Sequence, residues 1–282
     1  MIIKLKSYRS QPLSAFLFII ATLSICVTVL VFLFLLGYIL INGVPHLKLS
    51  LFALEYNTAN LSLFPALVNT LTMTALSLFI AVPLGIGSAI YLVEYARRGN
   101  RLVGFVRMTA ETLSGIPSIV YGLFGMLFFV TALGMGFSIM AGALTMSIMI
   151  LPLIMRTTEE ALIAVSDTFR EASFGLGAGR LRTVFRVVLP SAIPGILAGV
   201  ILAIGRIVGE TAALLYTAGT VAGIPENVWG SGRTLSIHMY SLAREGLYVE
   251  ASYATAVVLL VMVVGINALS GFVARKLTKG QQ

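Results

Sequence analysis

The feature that most constrains the fold of this chain is the length of its segments without Asp, Glu, Lys or Arg. Five such segments cover residues 10–47, 56–93, 112–155, 187–205 and 251–274. A helix of about 20 apolar residues crosses the hydrocarbon core of a bilayer. Because 58% of the 282 residues are hydrophobic and only 11% are charged, we predict an all-α, polytopic membrane protein rather than a soluble domain.

These segments predict six transmembrane helices, near residues 15–41, 67–92, 103–131, 138–155, 191–215 and 252–273. Segment 112–155 holds the rest of one crossing and all of a second, with a Gly-rich break at residues 133–136. The first apolar segment extends over about 26 residues, whereas the apolar region of a signal peptide has about 7–15. We therefore expect the first helix to be retained as a membrane anchor.

The distribution of basic residues predicts the orientation. Fifteen of the 19 Lys and Arg residues lie in one set of loops and termini, and three lie in the other. The first set is Lys4, Lys6, Arg9, Arg97, Arg98, Arg101, Arg107, Arg156, Arg170, Arg180, Arg182, Arg186, Arg275, Lys276 and Lys279; the second is Lys48, Arg233 and Arg244. The positive-inside rule places both termini in the cytoplasm. The net charge of +8 follows from this asymmetry, and basic residues without interleaved aromatics do not indicate nucleic-acid binding.

Residues 167–186 form a polar, basic island between apolar segments. We predict two short helices that are separated at residues 177–179, with Thr168 and Glu171 forming a capping box at the first helix. The second helix carries three arginines beside an apolar stripe, which is typical of an amphipathic element at a membrane face. Such a hairpin leaves a surface free to contact a partner.

One charged pair is predicted inside the membrane. Arg206 lies about 15 residues into the fifth helix, some 22 Å at 1.5 Å per residue, and Glu210 is expected on the same helix face. A charge at this depth costs roughly 3 kcal/mol unless it faces a partner or a wet cavity. Arg206 either lines an anion path, with Glu210 holding it until an anion displaces the carboxylate, or pairs with Glu210 only to lock helices.

Glycine spacing in the same helix predicts close packing. Gly195 and Gly199, and again Gly205 and Gly209, are four residues apart, the spacing that lets two membrane helices approach closely.

A second signal lies in the third helix. Pro117 removes a backbone donor and Gly115 is permissive, so a kink or partial unwinding is expected. Glu111, Ser114 and Ser118 either line a pore at this point or accompany an ordinary kink with back-bonded hydroxyls.

The polar island also carries a recognisable spacing. Glu171 and Ala172 are followed by Gly177 and then by Leu189 and Pro190, in the pattern E-A-A, three residues, G, nine residues, I, one residue, L-P. Ser173 and Val187 are small departures from it. The pattern resembles the cytoplasmic coupling loop of ABC importer permeases, which implies that these residues contact an ATPase.

Two further runs sharpen the resemblance. The run S-G-I-P-S-I-V-Y-G at residues 114–122 and the run G-R-I-V-G-E-T-A-A-L at residues 205–214 are similar to phosphate-specific ABC importer permeases of the PstA type. This resemblance implies the type I importer fold and residence in the bacterial inner membrane. It also implies three partners: a PstC-type permease, a cytoplasmic ATPase dimer and a periplasmic phosphate-binding protein.

We expect three regions. Residues 1–65 hold a cytoplasmic tail, the first helix and an outer loop; residues 66–274 hold the transmembrane domain with the coupling loop 156–190; residues 275–282 form a cytoplasmic tail.

Motifs for catalysis are missing from the sequence. It has no G-x-x-x-x-G-K-[ST] phosphate loop, so we expect a non-catalytic subunit without a cofactor, with ATP bound by the partner ATPase. Neither a metal-binding spacing nor a nucleophile elbow is present. Two alternatives remain open at this point: a permease for another oxyanion such as sulfate or molybdate, and an ion-coupled carrier or channel that works alone.

Overall fold

The computed structural model describes residues 12–97 and 99–279, in which all regular structure is helical. Four of the basic residues used to predict orientation, Lys4, Lys6, Arg9 and Arg98, lie outside the described residues. The helices are α1 Pro12–Gly43, α2 Phe64–Ile90, α3 Arg101–Ser114, α4 Ser118–Gly125, α5 Ile139–Ile163, α6 Asp167–Gly175, α7 Arg180–Thr183, α8 Leu189–Gly209, α9 Ala212–Leu215, α10 Leu235–Glu245 and α11 Val249–Lys279. Wider π turns extend α2 over Tyr91–Tyr95 and α4 over Met126–Ala132, and Val184–Val188 joins α7 to α8.

The described helices confirm the all-α membrane architecture. Five stretches are long and apolar enough to cross a bilayer: Phe16–His46, Phe64–Tyr95, Ile139–Ile163, Arg180–Gly209 and Val249–Phe272. The third predicted helix is a pair, Arg101–Ser114 and Ser118–Ala132, bent by 102°.

The spans place the connections at two opposite ends of the protein. We call residues 44–63, 133–138 and 217–250 the loop end, and residues 91–111 and 156–188 the basic end. At the loop end, the amide of Ser138 donates to the carbonyl of Thr217 at 3.0 Å. At the basic end, the guanidinium of Arg170 contacts Glu94 at 2.8 Å. The bent pair leaves the basic end and arrives at the loop end, so counting it as one span gives six crossings.

Three helices, α2, α5 and α8, form the centre of the fold. Met73, Ile150 and Ile207 belong to one buried cluster, in which each is nearly inaccessible. By contrast, α1 is exposed along almost its whole length and meets α11 only near its end, where the rings of Tyr38 and Tyr253 are 5.8 Å apart. A helix that is apolar on all sides and exposed in this way suits a lipid-facing position.

The two glycine pairs in α8 differ in their surroundings. Gly199 lies directly against Thr157 of α5, where a β-carbon would collide with the threonine side chain, and Gly195 lies against Ala161 in the same way. The predicted close packing is confirmed for this pair. Gly205 and Gly209 face open space in the described chain, so close packing at this second pair stays a prediction.

Candidate functional site

Arg206 lies near the middle of the membrane-spanning bundle. Helices α5 and α8 run antiparallel, because α5 starts at the loop end and α8 starts at the basic end. Gly199 is opposite Thr157, and seven more residues of α8 add about 10 Å. Arg206 is therefore roughly level with Ile150, midway along Ile139–Ile163, and its side chain is half-buried.

The surroundings of Arg206 leave its charge without a counter-ion. Within residues 12–97 and 99–279, no carboxylate forms an ion pair with it and no acceptor forms a hydrogen bond with it. It interacts electrostatically with Tyr121. The hydroxyl of Tyr121 donates to the carbonyl of Leu113 at 2.7 Å, across the α3–α4 bend. The structure thus brings Arg206 and this bend together.

Glu210 does not share a helix face with Arg206, so that prediction is wrong. Helix α8 ends at Gly209, and Glu210 has an extended backbone with ψ of 130°. Its carboxylate accepts the amide of Ala213 at 3.0 Å and thereby caps α9. Its backbone carbonyl accepts the hydroxyl of Ser236 at 2.6 Å. The apolar sequence suggested an uninterrupted helix, whereas this carboxylate stabilises a new helical start.

The expected break in the third helix is confirmed. Helix α3 ends at Ser114, and Pro117 has an extended backbone with ψ of 140° immediately before α4. The hydroxyl of Ser114 donates to the carbonyl of Glu111 at 2.8 Å, as expected for a back-bonded kink. Ser118 is half-buried at the first position of α4. A role for these residues in a transport path stays a prediction.

Glu111 has a partner that the sequence did not reveal. Its carboxylate is 3.4 Å from Arg156 of α5, and Arg156 is also 3.5 Å from Glu160. Nearby, Arg107 of α3 pairs with the buried Glu159 of α5. The i,i+4 spacing of Arg156 and Glu160 is visible in the sequence, but the pairs between helices depend on how α3 packs. Together these groups fasten α3 to α5 at the basic end.

Residues 167–190, which we call the coupling segment, have the predicted broken shape. Gly177 adopts a left-handed backbone with φ of +79° between α6 and α7, a conformation that glycine reaches without steric cost. The glutamate and alanine of the coupling pattern, Glu171 and Ala172, are exposed on α6, whereas Leu189 and Pro190 are half-buried at the start of α8. The exposed part is available to a partner surface.

The predicted capping box is wrong. The first helix starts at Asp167, one residue before the expected cap, and Ser166 is the capping residue: its hydroxyl accepts the amide of Thr168 at 3.4 Å. The second helix is also longer than predicted, since α7 continues through its π turn into α8. The coupling segment is therefore rigidly connected to the span that carries Arg206.

Arg170 attaches the coupling segment to α2, and sequence reasoning gave it no role beyond its charge. Two of its nitrogens donate to Glu94, at 3.1 and 2.8 Å, and both side chains are largely buried. The same guanidinium donates to the carbonyls of Leu162 and Val165, at 2.9 and 2.7 Å. Glu94 and Arg170 are 76 residues apart. The one hint in the sequence was Glu94 itself, an isolated acidic residue directly after the apolar segment 56–93.

The match to a known family spans both the bend and the coupling segment. Residues 81–279 match the family described as the binding-protein-dependent transport system inner membrane component. The chain belongs to this family. It is thus an ABC importer permease, as the coupling pattern predicted.

Similar bacterial proteins support the more specific resemblance, which is to PstA-type permeases. The chain is 37% identical over 232 residues to the probable ABC transporter permease protein YqgI of Bacillus subtilis, covering 77% of this chain and 79% of that protein. It is 36% identical over 210 residues to the phosphate transport system permease protein PstA of Mycobacterium leprae, covering 72% and 67%. With PstA 1 of Mycobacterium tuberculosis the identity is 38%, over 63% of this chain and 58% of that protein. The predicted resemblance to PstA-type permeases is confirmed.

Solved structures share the fold. A bacterial ABC transporter involved in the import of the acidic polysaccharide alginate superimposes with a TM-score of 0.69 at 17% identity, covering 99% of this chain and 100% of that chain. The MetNI methionine ABC transporter, in an inward-facing conformation, gives 0.59 at 20% identity, covering 77% and 94%. At these identities the likeness concerns architecture alone, and it confirms the importer-type transmembrane fold.

Proposed function

We propose that this chain is the permease subunit of an ATP-driven phosphate importer and forms half of the transmembrane path for inorganic phosphate. The observation that carries the proposal is Arg206: a half-buried cation midway along the bundle, without a counter-ion in the described chain. A charge at that depth is costly unless something compensates it. The resemblance to proteins named PstA supports phosphate as the anion that does so.

The geometry suits transient binding. A guanidinium offers two parallel donors to an oxyanion, and the open space beside Gly205 and Gly209 gives an ion room to approach Arg206. The carboxylate of Glu210 is engaged in capping α9, so it does not compete with phosphate for Arg206. A single guanidinium leaves part of the charge of phosphate uncompensated, so the hold stays weak and the ion is not trapped.

The partners follow from the two ends of the molecule. The exposed surface around Glu171, Ala172 and Gly177 would dock a cytoplasmic ATPase dimer, which binds and hydrolyses ATP. A PstC-type permease would supply the other half of the path. A periplasmic phosphate-binding protein would deliver phosphate to the loop end. This arrangement places the basic end, with both termini, in the cytoplasm and the chain in the bacterial inner membrane.

Arg206→Gln tests the proposal, because it keeps length and some hydrogen bonding but removes the charge. We expect phosphate uptake to be abolished while membrane abundance and ATPase association stay near normal. Lys48→Gln removes an exposed charge from the loop end and serves as the control, with uptake preserved. Full uptake in Arg206→Gln contradicts the anion path, and a loss of assembled complex assigns Arg206 a structural role instead.

Substrate and energy source need separate measurements. Uptake of radiolabelled phosphate, sulfate and molybdate by the same reconstituted complex separates phosphate from other oxyanions. Transport by this chain in proteoliposomes without an ATPase would favour a stand-alone carrier. We expect phosphate transport that depends on ATP.

A further inference from the structure

A cavity of about 430 Å³ lies at the loop end, away from the bend and from Arg206. Two arginines, Arg233 and Arg244, line it together with the hydroxyl-bearing residues Thr220, Tyr240 and Ser241. Of the described residues that line it, none is acidic. A cavity with two cations and several hydroxyl donors suits a small anion.

Arg233 is the unusual member, because its side chain is buried without an acceptor. Only 6% of the residue is exposed, and its Nε and Nη2 atoms have no hydrogen-bond partner. The guanidinium lies 4.4 Å from the ring centroid of Tyr56, whose π face compensates part of the charge. In the described chain no carboxylate pairs with it. A buried, unpaired guanidinium is costly, so a missing counter-charge is the expected explanation.

The backbone holds Arg233 in a fixed position. Its amide donates to the carbonyl of Val221 at 2.9 Å, and its own carbonyl accepts the side-chain amide of Asn69 at 3.1 Å. Gly232 packs so closely on Asn69 that a side chain there would displace it. The site is therefore built before any ligand arrives, which lowers the entropy cost of binding.

The cavity also adjoins the loop end of the Arg206 helix. Leu215, at the end of α9, lines it. Ser236, three residues after Arg233, donates its hydroxyl to the carbonyl of Glu210, directly after α8. The cavity therefore lies on the loop-end side of Arg206, with α9 between them.

We propose that this cavity binds a tetrahedral inorganic oxyanion between Arg233 and Arg244, as an entry site in series with Arg206. The planar guanidinium of arginine matches oxyanion geometry, and the hydroxyls of Thr220, Tyr240 and Ser241 can donate to the remaining oxygens. The identity of the oxyanion and its passage on to Arg206 rest on the proposed function; the site itself rests on the buried charge.

Protection of an introduced thiol measures occupancy without transport. The single cysteine, Cys26, is replaced by serine, and Ser241→Cys is introduced into the full complex in membrane vesicles. Inorganic phosphate should slow the reaction of this thiol with N-ethylmaleimide, compared with chloride at equal ionic strength. Arg244→Gln, at an exposed position, should raise the half-protecting phosphate concentration about tenfold, the loss of one charge-assisted contact. Lys48→Gln changes the charge equally, and protection should be unaltered.

The outcomes separate this proposal from the proposed function. Labelling that is equal in phosphate, sulfate and chloride overturns the entry site. An unchanged half-protecting phosphate concentration in Arg244→Gln overturns it as well. Protection by sulfate but not by phosphate supports an oxyanion site and removes phosphate as the substrate. Protection that persists in Arg206→Gln, while uptake is lost, is the result we expect, because the two arginines act in sequence.

Discussion

Arg170 and Arg206 are both arginines within or beside the bundle, yet the protein surrounds them differently. The guanidinium of Arg170 donates to Glu94 and to two backbone carbonyls. Arg206 has no such partner in the described chain. A fully bonded guanidinium fixes geometry, whereas an unpaired one at membrane depth remains available to a ligand. We infer that the first positions the coupling segment and that the second faces the transported ion.

Arg170→Ala should loosen the coupling segment. The change leaves the buried Glu94 without its partner, which costs about 3–5 kcal/mol for a buried pair. We expect less ATPase to co-purify and faster proteolysis within residues 167–188. Arg170→Lys restores the charge without the forked geometry and should recover part of the association. Arg182→Ala, at an exposed position on α7, is the control. Unchanged co-purification and proteolysis in Arg170→Ala would show that Glu94 does not hold α6.

His238 should make stability depend on pH. Burial, and then the charge of Arg233, lowers the pKa of His238 to about 3. The unfolded histidine has a pKa of about 6.5, so below that value the unfolded state binds a proton that the folded state does not. Stability is full above pH 6.5 and falls as the pH drops toward 3. From pH 7 to 5 the loss is about 2 kcal/mol.

Thermal unfolding of the detergent-solubilised chain at pH 5, 6 and 7 measures this effect. His238→Gln should flatten the dependence on pH, whatever its effect on absolute stability. An equal slope in wild type and His238→Gln would contradict a neutral, buried imidazole.

The environment of a single residue could be predicted from the sequence only where the neighbouring residues in the chain determine it. Arg206 stood out because charge is rare inside an apolar helix. Glu210 was placed wrongly because a carboxylate four residues after Arg206 is compatible with a continuous helix and equally with a cap that follows a helix break. The contact between Glu94 and Arg170 joins residues 76 positions apart. No local pattern contains that information, since it depends on the packing of α2 against the coupling segment.

At the scale of helices, the length of the apolar segments predicted which helices cross the membrane better than it predicted where each helix ends. The fourth helix was expected over residues 138–155, but α5 continues to Ile163. Arg156, Glu159 and Glu160 end the apolar run without ending the backbone hydrogen bonds, so the helix projects beyond the membrane. The bend before α4 was predictable, because Pro117 and Gly115 act locally. Its angle of 102° was not, since it depends on how α3 packs against α5.

The turn between α6 and α7 provides a matched pair of variants. Gly177 has φ of +79° and open space around it, so conformation rather than crowding limits the residue there. Gly177→Val should cost roughly 1–2 kcal/mol at this turn and weaken ATPase binding or uncouple hydrolysis from uptake. Gly177→Asn also adds a side chain but tolerates this backbone, so coupling should be largely kept. Normal uptake and co-purification in Gly177→Val would argue strongly against a coupling role.

At the scale of the whole molecule, the bent pair decides the number of crossings. Five straight spans alone would put the start of α1 and the end of α11 on opposite sides of the membrane. Counting the bent pair as a span puts them on the same side. The contact of the 133–138 turn with Thr217, and that of the 91–95 turn with Arg170, favour the second arrangement. The concentration of basic residues at the end that holds the 91–95 turn agrees with it.

Reporter fusions test this topology directly. Fusions after Leu92, Arg182 and Lys279 should report a cytoplasmic location, and fusions within residues 51–60 and 225–232 a periplasmic one. The decisive position is the turn at Gly134 and Gly136, which should be periplasmic because the bent pair ends at the loop end. A cytoplasmic signal there, with α11 then ending outside, would make the pair re-entrant. A periplasmic signal after Arg182 would remove the coupling segment from the ATPase and overturn the proposed function as a whole.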